Sequence, residues 1–197
     1  MAIILAPHNI TENIEHQMIY QTPLFQAKFD DIDNRELEDE IYLEKKNCSG
    51  ISGSNPDGWH SKVYSGEEHF KVVTEGIRKT IPHLPFQPKL ELKHISMWAN
   101  VNGPGSYHIT HTHPGYHLSG VYYVKVPDGD CGRLIFDDPR EAISFGDVWL
   151  NDSYTGNRVE RYPEEGTMFL FPASLKHFVD TNRTDSDRIS ISFNLLF

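Results

Sequence analysis

Cysteine is scarce in this chain: its 197 residues include two, Cys48 and Cys131, far apart in the sequence. Two separated cysteines indicate neither a disulfide framework nor a thiolate metal site, so we expect a reducing cytoplasm as the setting. Long apolar runs are also missing. No stretch approaches the length that spans a bilayer, and residues 1–5 are too short for a signal peptide. The expectation is a soluble, cytoplasmic protein without a membrane partner.

Basic residues are outnumbered by acidic ones. The chain has 18 Lys and Arg against 28 Asp and Glu, which gives a formal net charge of −10. This balance argues against nucleic acid or an anionic membrane as the main partner. It does not exclude a small acidic ligand, because one buried arginine sets the local field. Hydrophobic residues make up 38% of the chain, which is typical of a globular protein.

The first part of the chain has the pattern of an edge strand and two helices. Residues 22–29 are typical of an extended segment at a sheet edge. Residues 34–46 predict a surface helix, and residues 48–58 predict a loop. A second helix is indicated by a candidate capping box at Ser65 and Glu68 and an apolar stripe that ends before Pro82. The stripe consists of Phe70, Val73, Ile77 and Ile81.

From Leu90 onward the pattern changes to that of short β-strands. In the first strand, Ile95, Met97, Ala99 and Val101 share one face, and further strands are predicted at 108–113, 118–126, 133–136, 167–171 and 189–196. Residues 137–165 predict a long polar loop or lid. We expect one domain, 1–197, of α+β class. Residues 1–89 form its N-terminal helical and strand portion, with helices packed on one sheet, and residues 90–197 form a β-sandwich or jelly-roll core.

His111 and His113 have the spacing of a metal chelate on a strand. Side chains at i and i+2 share one face, and neutral imidazole is a frequent ligand of divalent iron, copper and zinc. Pro114 and the following glycine end the strand just after the pair. We expect the nearby His108 and His117 to support the ligands or to lie at the surface.

A third histidine and an arginine follow downstream. His177 comes after the apolar segment 167–172, and Arg188 and Ser190 share one face of the last predicted strand. Arginine gives bidentate hydrogen bonds to a carboxylate, and serine adds a hydroxyl donor. The alternative for Arg188 is an edge-strand salt bridge. Trp98 and Asn100 share a strand face and are candidates for the mouth of the pocket.

These motifs together resemble the iron(II)- and 2-oxoglutarate-dependent oxygenases, which have a double-stranded β-helix (jelly-roll) core. They are more closely similar to a family of such oxygenases from bacteria and phages. The resemblance covers about residues 90–197 and rests on residues 111–114 (His-Thr-His-Pro), 119–124 (Ser-Gly-Val-Tyr-Tyr-Val), 171–177 and 188–194 (Arg-Ile-Ser-Ile-Ser-Phe-Asn). A phage gene would place the protein in the host cytoplasm.

The resemblance implies a site and a reaction. His111, His113 and His177 would bind Fe(II), while Arg188, Ser190 and Tyr123 would bind 2-oxoglutarate. Dioxygen is the co-reactant, ascorbate is a further candidate cofactor, and the products are succinate, CO2 and a hydroxylated substrate. The substrate is a peptide, a protein or a small molecule, and prolyl hydroxylases are the nearest analogy. The sequence leaves the oligomeric state open.

One position departs from the usual site of this superfamily, which has two histidines and one carboxylate. His113 stands at the carboxylate position, so either the site has three histidines, which we favour, or Asp137 or Asp138 replaces one imidazole. Two other functions stay open. One is a cupin-like metal enzyme that does not use 2-oxoglutarate, and the other is a non-enzymatic β-sandwich module with a structural metal.

Overall fold

The computed structural model describes residues 21–51, 53–85, 90–140 and 157–197. These residues form two α-helices, α1 (Asn34–Asn47) and α2 (Lys71–Thr80), and a short 3-10 helix at Ile81–His83. The strands are β1 (Phe25–Lys28), β2 (Trp59–His60), β3 (Tyr64–Ser65), β4 (His94–Asn102), β5 (His108–His111), β6 (Leu118–Lys125), β7 (Leu134–Asp137), β8 (Arg158–Arg161), β9 (Thr167–Pro172), β10 (His177–Val179) and β11 (Arg188–Leu196).

The strands form two sheets. The larger sheet has the order β1-β9-β6-β11-β4-β2, with β3 also paired to β4, and the smaller sheet has the order β5-β10-β7-β8. Every pairing is antiparallel. The fold is therefore mainly antiparallel β with few helices, which confirms the coarse class predicted from the sequence. Neither helix of the described part has the length and apolarity needed to cross a bilayer.

Alternating side chains on the larger sheet pack in two directions. One apolar cluster joins residues of α1 and α2, such as Ile41 and Ile77, to one face of the sheet, including Met97 and Ile191. A second cluster joins the opposite face to the smaller sheet, for example Phe171 to the β7 side chains. Because successive strand residues point to opposite faces, β6 and β11 contribute both to the core and to the space between the sheets.

Several local predictions are wrong. The capping box fails because α2 begins at Lys71, after Phe70 at a φ of 53°, and Phe70 provides no side-chain cap. The N–H of Glu68 instead donates to the Ser65 carbonyl in a turn. β8 lies within the stretch predicted as a loop, of which residues 141–156 fall outside the described residues, as do residues 1–5. The strand predicted at 108–113 ends at His111.

Candidate metal centre

The three predicted histidines lie together at one end of the smaller sheet. His111 on β5 is directly opposite His177 on β10, and His113 follows β5 by two residues. Their ring nitrogens lie within 4.8 Å of one another in the combination that brings them closest. The ring centroids are 4.4 Å apart for His111 and His177 and 5.0 Å apart for His111 and His113. This spacing permits all three imidazoles to bind one ion.

Backbone contacts orient the rings. The Nδ1 atom of His111 lies 2.7 Å from the Ile109 carbonyl, and Nδ1 of His177 lies 2.8 Å from the Leu175 carbonyl. A carbonyl only accepts, so each Nδ1 carries the proton and each Nε2 keeps its lone pair. This is the arrangement in which a second contact fixes the tautomer of a metal-binding histidine. The N–H of His113 donates to the Ala173 carbonyl, which holds its backbone.

The electrostatics favour neutral imidazoles. Burial, together with His111, lowers the pKa of His113 to about 4 and that of His177 to about 3. Burial also lowers the pKa of His111. All three rings are therefore uncharged at neutral pH, which is the form that binds metal. The donor set fits a divalent ion such as Fe(II), and three protein ligands leave further coordination positions open.

The candidate carboxylates lie elsewhere. Asp137 forms an ion pair with Arg158 at 2.9 Å, and Asp138 forms one with Arg140 at 2.6 Å. Within the described ranges, the group that can bind a metal consists of the three histidines alone. The geometry therefore favours the three-histidine alternative over replacement by Asp137 or Asp138.

Arg188 lines the same cavity as the three histidines. Its side chain is 1% exposed, and its Nη1 donates to the Cys131 carbonyl at 2.6 Å. Its Nε is buried without a hydrogen-bond partner, and among the described residues no carboxylate is within ion-pair distance. The alternative of an edge-strand salt bridge is wrong, because β11 lies between β6 and β4 inside the larger sheet. The guanidinium is available to an acidic ligand.

Ser190 and Tyr123 lie beside this arginine. They face each other across β11 and β6, and both are buried. Burial raises the pKa of Tyr123 to about 12, against the lowering effect of Arg188. The phenol is therefore a neutral donor at physiological pH. The three residues and the histidines line one cavity, together with Ser54, Trp98, His108, Gly120, Val121, Leu134, Phe171, Val179 and Ser192.

Two cavity residues were not predicted to face the site. Strand alternation alone would place His108 and His111 on opposite faces of β5. The pairing of β5 with β10 is irregular between His177 and Val179, however, and this irregularity lets both His108 and His111 reach the cavity. Ser54, in the loop before β2, has its hydroxyl 3.5 Å from Nε2 of His111. Of the two candidates for the mouth of the pocket, Trp98 lines the cavity, whereas Asn100 is buried and donates to the Ser192 hydroxyl. His117 instead accepts a hydrogen bond from the Phe197 N–H.

The family comparison matches the segment that carries this site. A family model described as "Putative 2OG-Fe(II) oxygenase" matches residues 96–194, about half of the chain. The matched residues include all three histidines and the arginine. No curated protein matches the chain.

Solved structures of low sequence identity share the fold. A prolyl-4-hydroxylase from Pseudomonas putida has a TM-score of 0.63 at 13% identity over 89% of this chain and 92% of its own. A Trichoplax adhaerens prolyl hydroxylase in complex with a hypoxia inducible factor peptide has a TM-score of 0.61 at 15% identity over 88% and 83%. HygX from Streptomyces hygroscopicus, with nickel and 2-oxoglutarate bound, has a TM-score of 0.57 at 12% identity over 88% and 82%.

Proposed function

The chain belongs to the 2OG-Fe(II) oxygenase family, and from this premise we propose that it hydroxylates a C–H bond of its substrate. The family uses Fe(II), 2-oxoglutarate and O2. In the proposed reaction, one oxygen atom of O2 enters the substrate as a hydroxyl group. The other enters succinate, which forms from 2-oxoglutarate with release of CO2.

One observation carries this proposal. Three neutral imidazoles converge in a cavity that a buried guanidinium without an acidic partner also lines. His111, His113 and His177 would hold the metal, which supplies oxygen activation when bound. A 2-oxo acid has two oxygens for chelation at one end and, in 2-oxoglutarate, a second carboxylate at the other. The histidines and the arginine match these two functions.

The second carboxylate is assigned to Arg188, Ser190 and Tyr123. A buried guanidinium nitrogen without an acceptor is unfavourable, and a bound carboxylate would supply the acceptor. The hydroxyls of Ser190 and Tyr123 are the remaining donors beside this arginine. Their part is to bind and orient the cosubstrate, and the surrounding apolar residues Val121, Leu134 and Phe171 exclude water from it.

The substrate is proposed at the level of class. The prolyl hydroxylases that share the fold favour a peptide or protein substrate, with proline as the candidate residue for hydroxylation. A small molecule is the alternative. We further propose that residues 1–197 form one domain and that the two sheets are the walls of a double-stranded β-helix. The two cysteines are free in the structure, which is consistent with a cytoplasmic location.

A second function deserves a test because the triad contains no carboxylate. A cupin-like enzyme with three histidines would use the metal without 2-oxoglutarate. Such an enzyme gives no role to the buried Arg188, and for this reason we favour the oxygenase. A module with a structural metal would lose its fold when the metal is chelated.

Anaerobic titration of the ferrous protein with 2-oxoglutarate distinguishes these functions. We expect a weak visible charge-transfer band to appear with the cosubstrate and to be absent in the His111→Ala variant. Admission of O2 should then convert 2-oxoglutarate to succinate, slowly even without substrate. His69 lies outside the cavity and gives a matched control, since His69→Ala should retain both signals. A ferrous protein that gives no band and no succinate would contradict the proposal.

A further inference from the structure

His108 is a partly buried cavity residue to which the proposed function assigns no role. It lies on β5, lines the cavity that contains Arg188, and is paired in the sheet with Val179. Its Nε2 lies 3.0 Å from the side-chain oxygen of Asn102, and Asn102 is the β4 residue opposite Arg188 on β11. Asn102 therefore neighbours both His108 and Arg188, and the latter two line the same cavity.

The imidazole of His108 is neutral in the folded protein. Burial, and after it the positive charge of Arg188, holds its pKa well below the usual range. A neutral imidazole has one N–H donor and one lone pair, and the partner of one nitrogen decides the role of the other. The Asn102 side chain therefore determines whether Nδ1 of His108 is a donor or an acceptor.

The neighbours of Asn102 decide its amide orientation. With its oxygen toward His108, the Asn102 Nδ2 is buried without an acceptor, and so is Nδ2 of Asn55. Both nitrogens border one space beside Gly58: a Cβ built on that glycine would lie 2.7 Å from Nδ2 of Asn102 and 3.0 Å from Nδ2 of Asn55. Two donors thus share a space that holds no acceptor for either of them.

Inversion of the Asn102 amide improves this arrangement. The two ends of an amide have nearly the same shape, so the hydrogen-bond network assigns them. After inversion, Asn102 Nδ2 takes the position 3.0 Å from Nε2 of His108 and donates to it, and the Asn102 oxygen borders the space beside Gly58 that Asn55 Nδ2 also borders. The proton of His108 is then on Nδ1. The inverted amide thus places an acceptor beside a buried donor that had none, as the cost of an unmade buried hydrogen bond favours.

We propose that His108 donates a hydrogen bond from Nδ1–H to the distal carboxylate of 2-oxoglutarate, with Asn55 and Asn102 fixing this tautomer. The assignment rests on the proposed function and adds a fourth donor to Arg188, Ser190 and Tyr123. It also links the cosubstrate site to the loop that contains Asn55. That loop is held to β5 by the hydrogen bond from the Ile109 N–H to the Ser54 carbonyl.

The tautomer is tested on the metal-free wild-type protein. Long-range 1H–15N correlation of the His108 ring should show the proton on Nδ1. The variant Asn55→Ala removes the donor that holds the Asn102 amide, so part of the His108 population should move its proton to Nε2. A wild-type ring with its proton on Nε2 would overturn the assignment, and this measurement does not require any variant to fold.

The ligand contact is tested by calorimetry on the nickel-loaded protein. Two acids are compared: 2-oxoglutarate, and 2-oxobutyrate, which has the same chelating end but no distal carboxylate. We expect His108→Ala to raise the dissociation constant of 2-oxoglutarate roughly tenfold to a hundredfold, the usual effect of a hydrogen bond to a charged group. The dissociation constant of 2-oxobutyrate should stay unchanged. His108→Gln, which keeps a donor, should recover part of the loss, and His69→Ala should lose nothing.

Two failures are distinguishable in this design. If His108→Ala weakens both acids equally, or weakens neither, His108 does not contact the distal carboxylate and the inference is wrong. If the nickel-loaded wild-type protein binds neither acid, the proposed function itself fails, and the inference fails with it.

Discussion

His111 on β5 and His177 on β10 are direct partners in the antiparallel pairing of these strands. Strand pairing therefore brings together two ligands that are distant in the sequence, and the position of His113 two residues after His111 completes the set. Two of the three ligands thus lie on paired strands of the smaller sheet. A change of one ligand should affect metal binding more than folding, since the pairing depends on the backbone.

We expect His111→Ala to weaken Fe(II) or Ni(II) binding by more than about a hundredfold. Substitution of a residue that only contacts a metal ligand typically lowers metal affinity ten- to a hundredfold, and loss of the ligand itself lowers it further. The far-UV circular dichroism should stay that of the wild type. Metal content after dialysis measures the effect, with His69→Ala as the control. Stoichiometric metal in His111→Ala would show that the ion binds elsewhere.

Arg188→Ala should raise the 2-oxoglutarate concentration needed for half-maximal succinate formation by roughly tenfold or more. It should also lower the free energy of unfolding by about 1–3 kcal/mol, because the buried Cys131 carbonyl loses its donor. Arg183→Ala removes an exposed ion pair with Asp130 and serves as the control. An unchanged cosubstrate requirement in Arg188→Ala would show that this arginine does not bind 2-oxoglutarate.

Asp137→Asn and Asp138→Asn should leave metal affinity unchanged. Both carboxylates have arginine partners outside the histidine group, so their loss breaks surface ion pairs of small energetic effect. Calorimetric titration with Ni(II) checks this. A large loss of affinity in either variant would show that a carboxylate enters the metal site after all.

The part of the site that the sequence could predict follows from strand alternation. The shared face of Arg188 and Ser190 depends only on the two-residue period of a strand, whereas β5 ends at His111 and His113 lies two residues beyond it. In β11 the apolar residues Ile189 and Ile191 are in the core, while the polar residues between them line the cavity. The location of β11 inside the sheet, which excludes an edge-strand salt bridge for Arg188, required the structure.

Irregular features of the fold could not be predicted from the sequence. β2, β3 and β10 have two or three residues each, too few for a periodic pattern. The start of α2 depends on a left-handed Phe70, a conformation that its side chain does not favour. His108 faces the cavity only because the register of β5 and β10 shifts beside it. Such a shift is set by tertiary packing and leaves no local signature.

His60 predicts a pH dependence of stability. Burial lowers the pKa of this imidazole below its usual value of 6.5. Its ring stacks on that of Trp98, with the ring centroids 5.6 Å apart. Below about pH 6.5, His60 therefore binds a proton more readily in the unfolded chain than in the folded chain. The free energy of unfolding falls as the pH drops below that value. Above it, both states are neutral and the effect vanishes.

His60→Asn should make this dependence shallower by up to roughly 1.4 kcal/mol per pH unit, the equivalent of one proton. Urea unfolding at several pH values between 5 and 8 measures the slope, and the difference from the wild type removes the contribution of all other groups. His83→Asn is the control at an exposed histidine. A slope identical to the wild type would mean that His60 is protonated equally well in both states.

Gly120 on β6 allows the close approach of β6 to Phe193. A Cβ built at this glycine would lie 2.3 Å from Cζ of Phe193 and 2.6 Å from the Phe169 carbonyl oxygen. Gly120→Ala should therefore lower the free energy of unfolding by about 1–3 kcal/mol through overpacking. At Gly103 the nearest atom to a built Cβ is the Asp187 carboxylate at 3.0 Å, so Gly103→Ala should lower the free energy of unfolding by less.

Because Gly120 and Phe193 are in contact, the double variant Gly120→Ala with Phe193→Leu should be less destabilised than the sum of its parts. Strict additivity in urea unfolding would show that the ring of Phe193 is not what excludes a side chain from position 120.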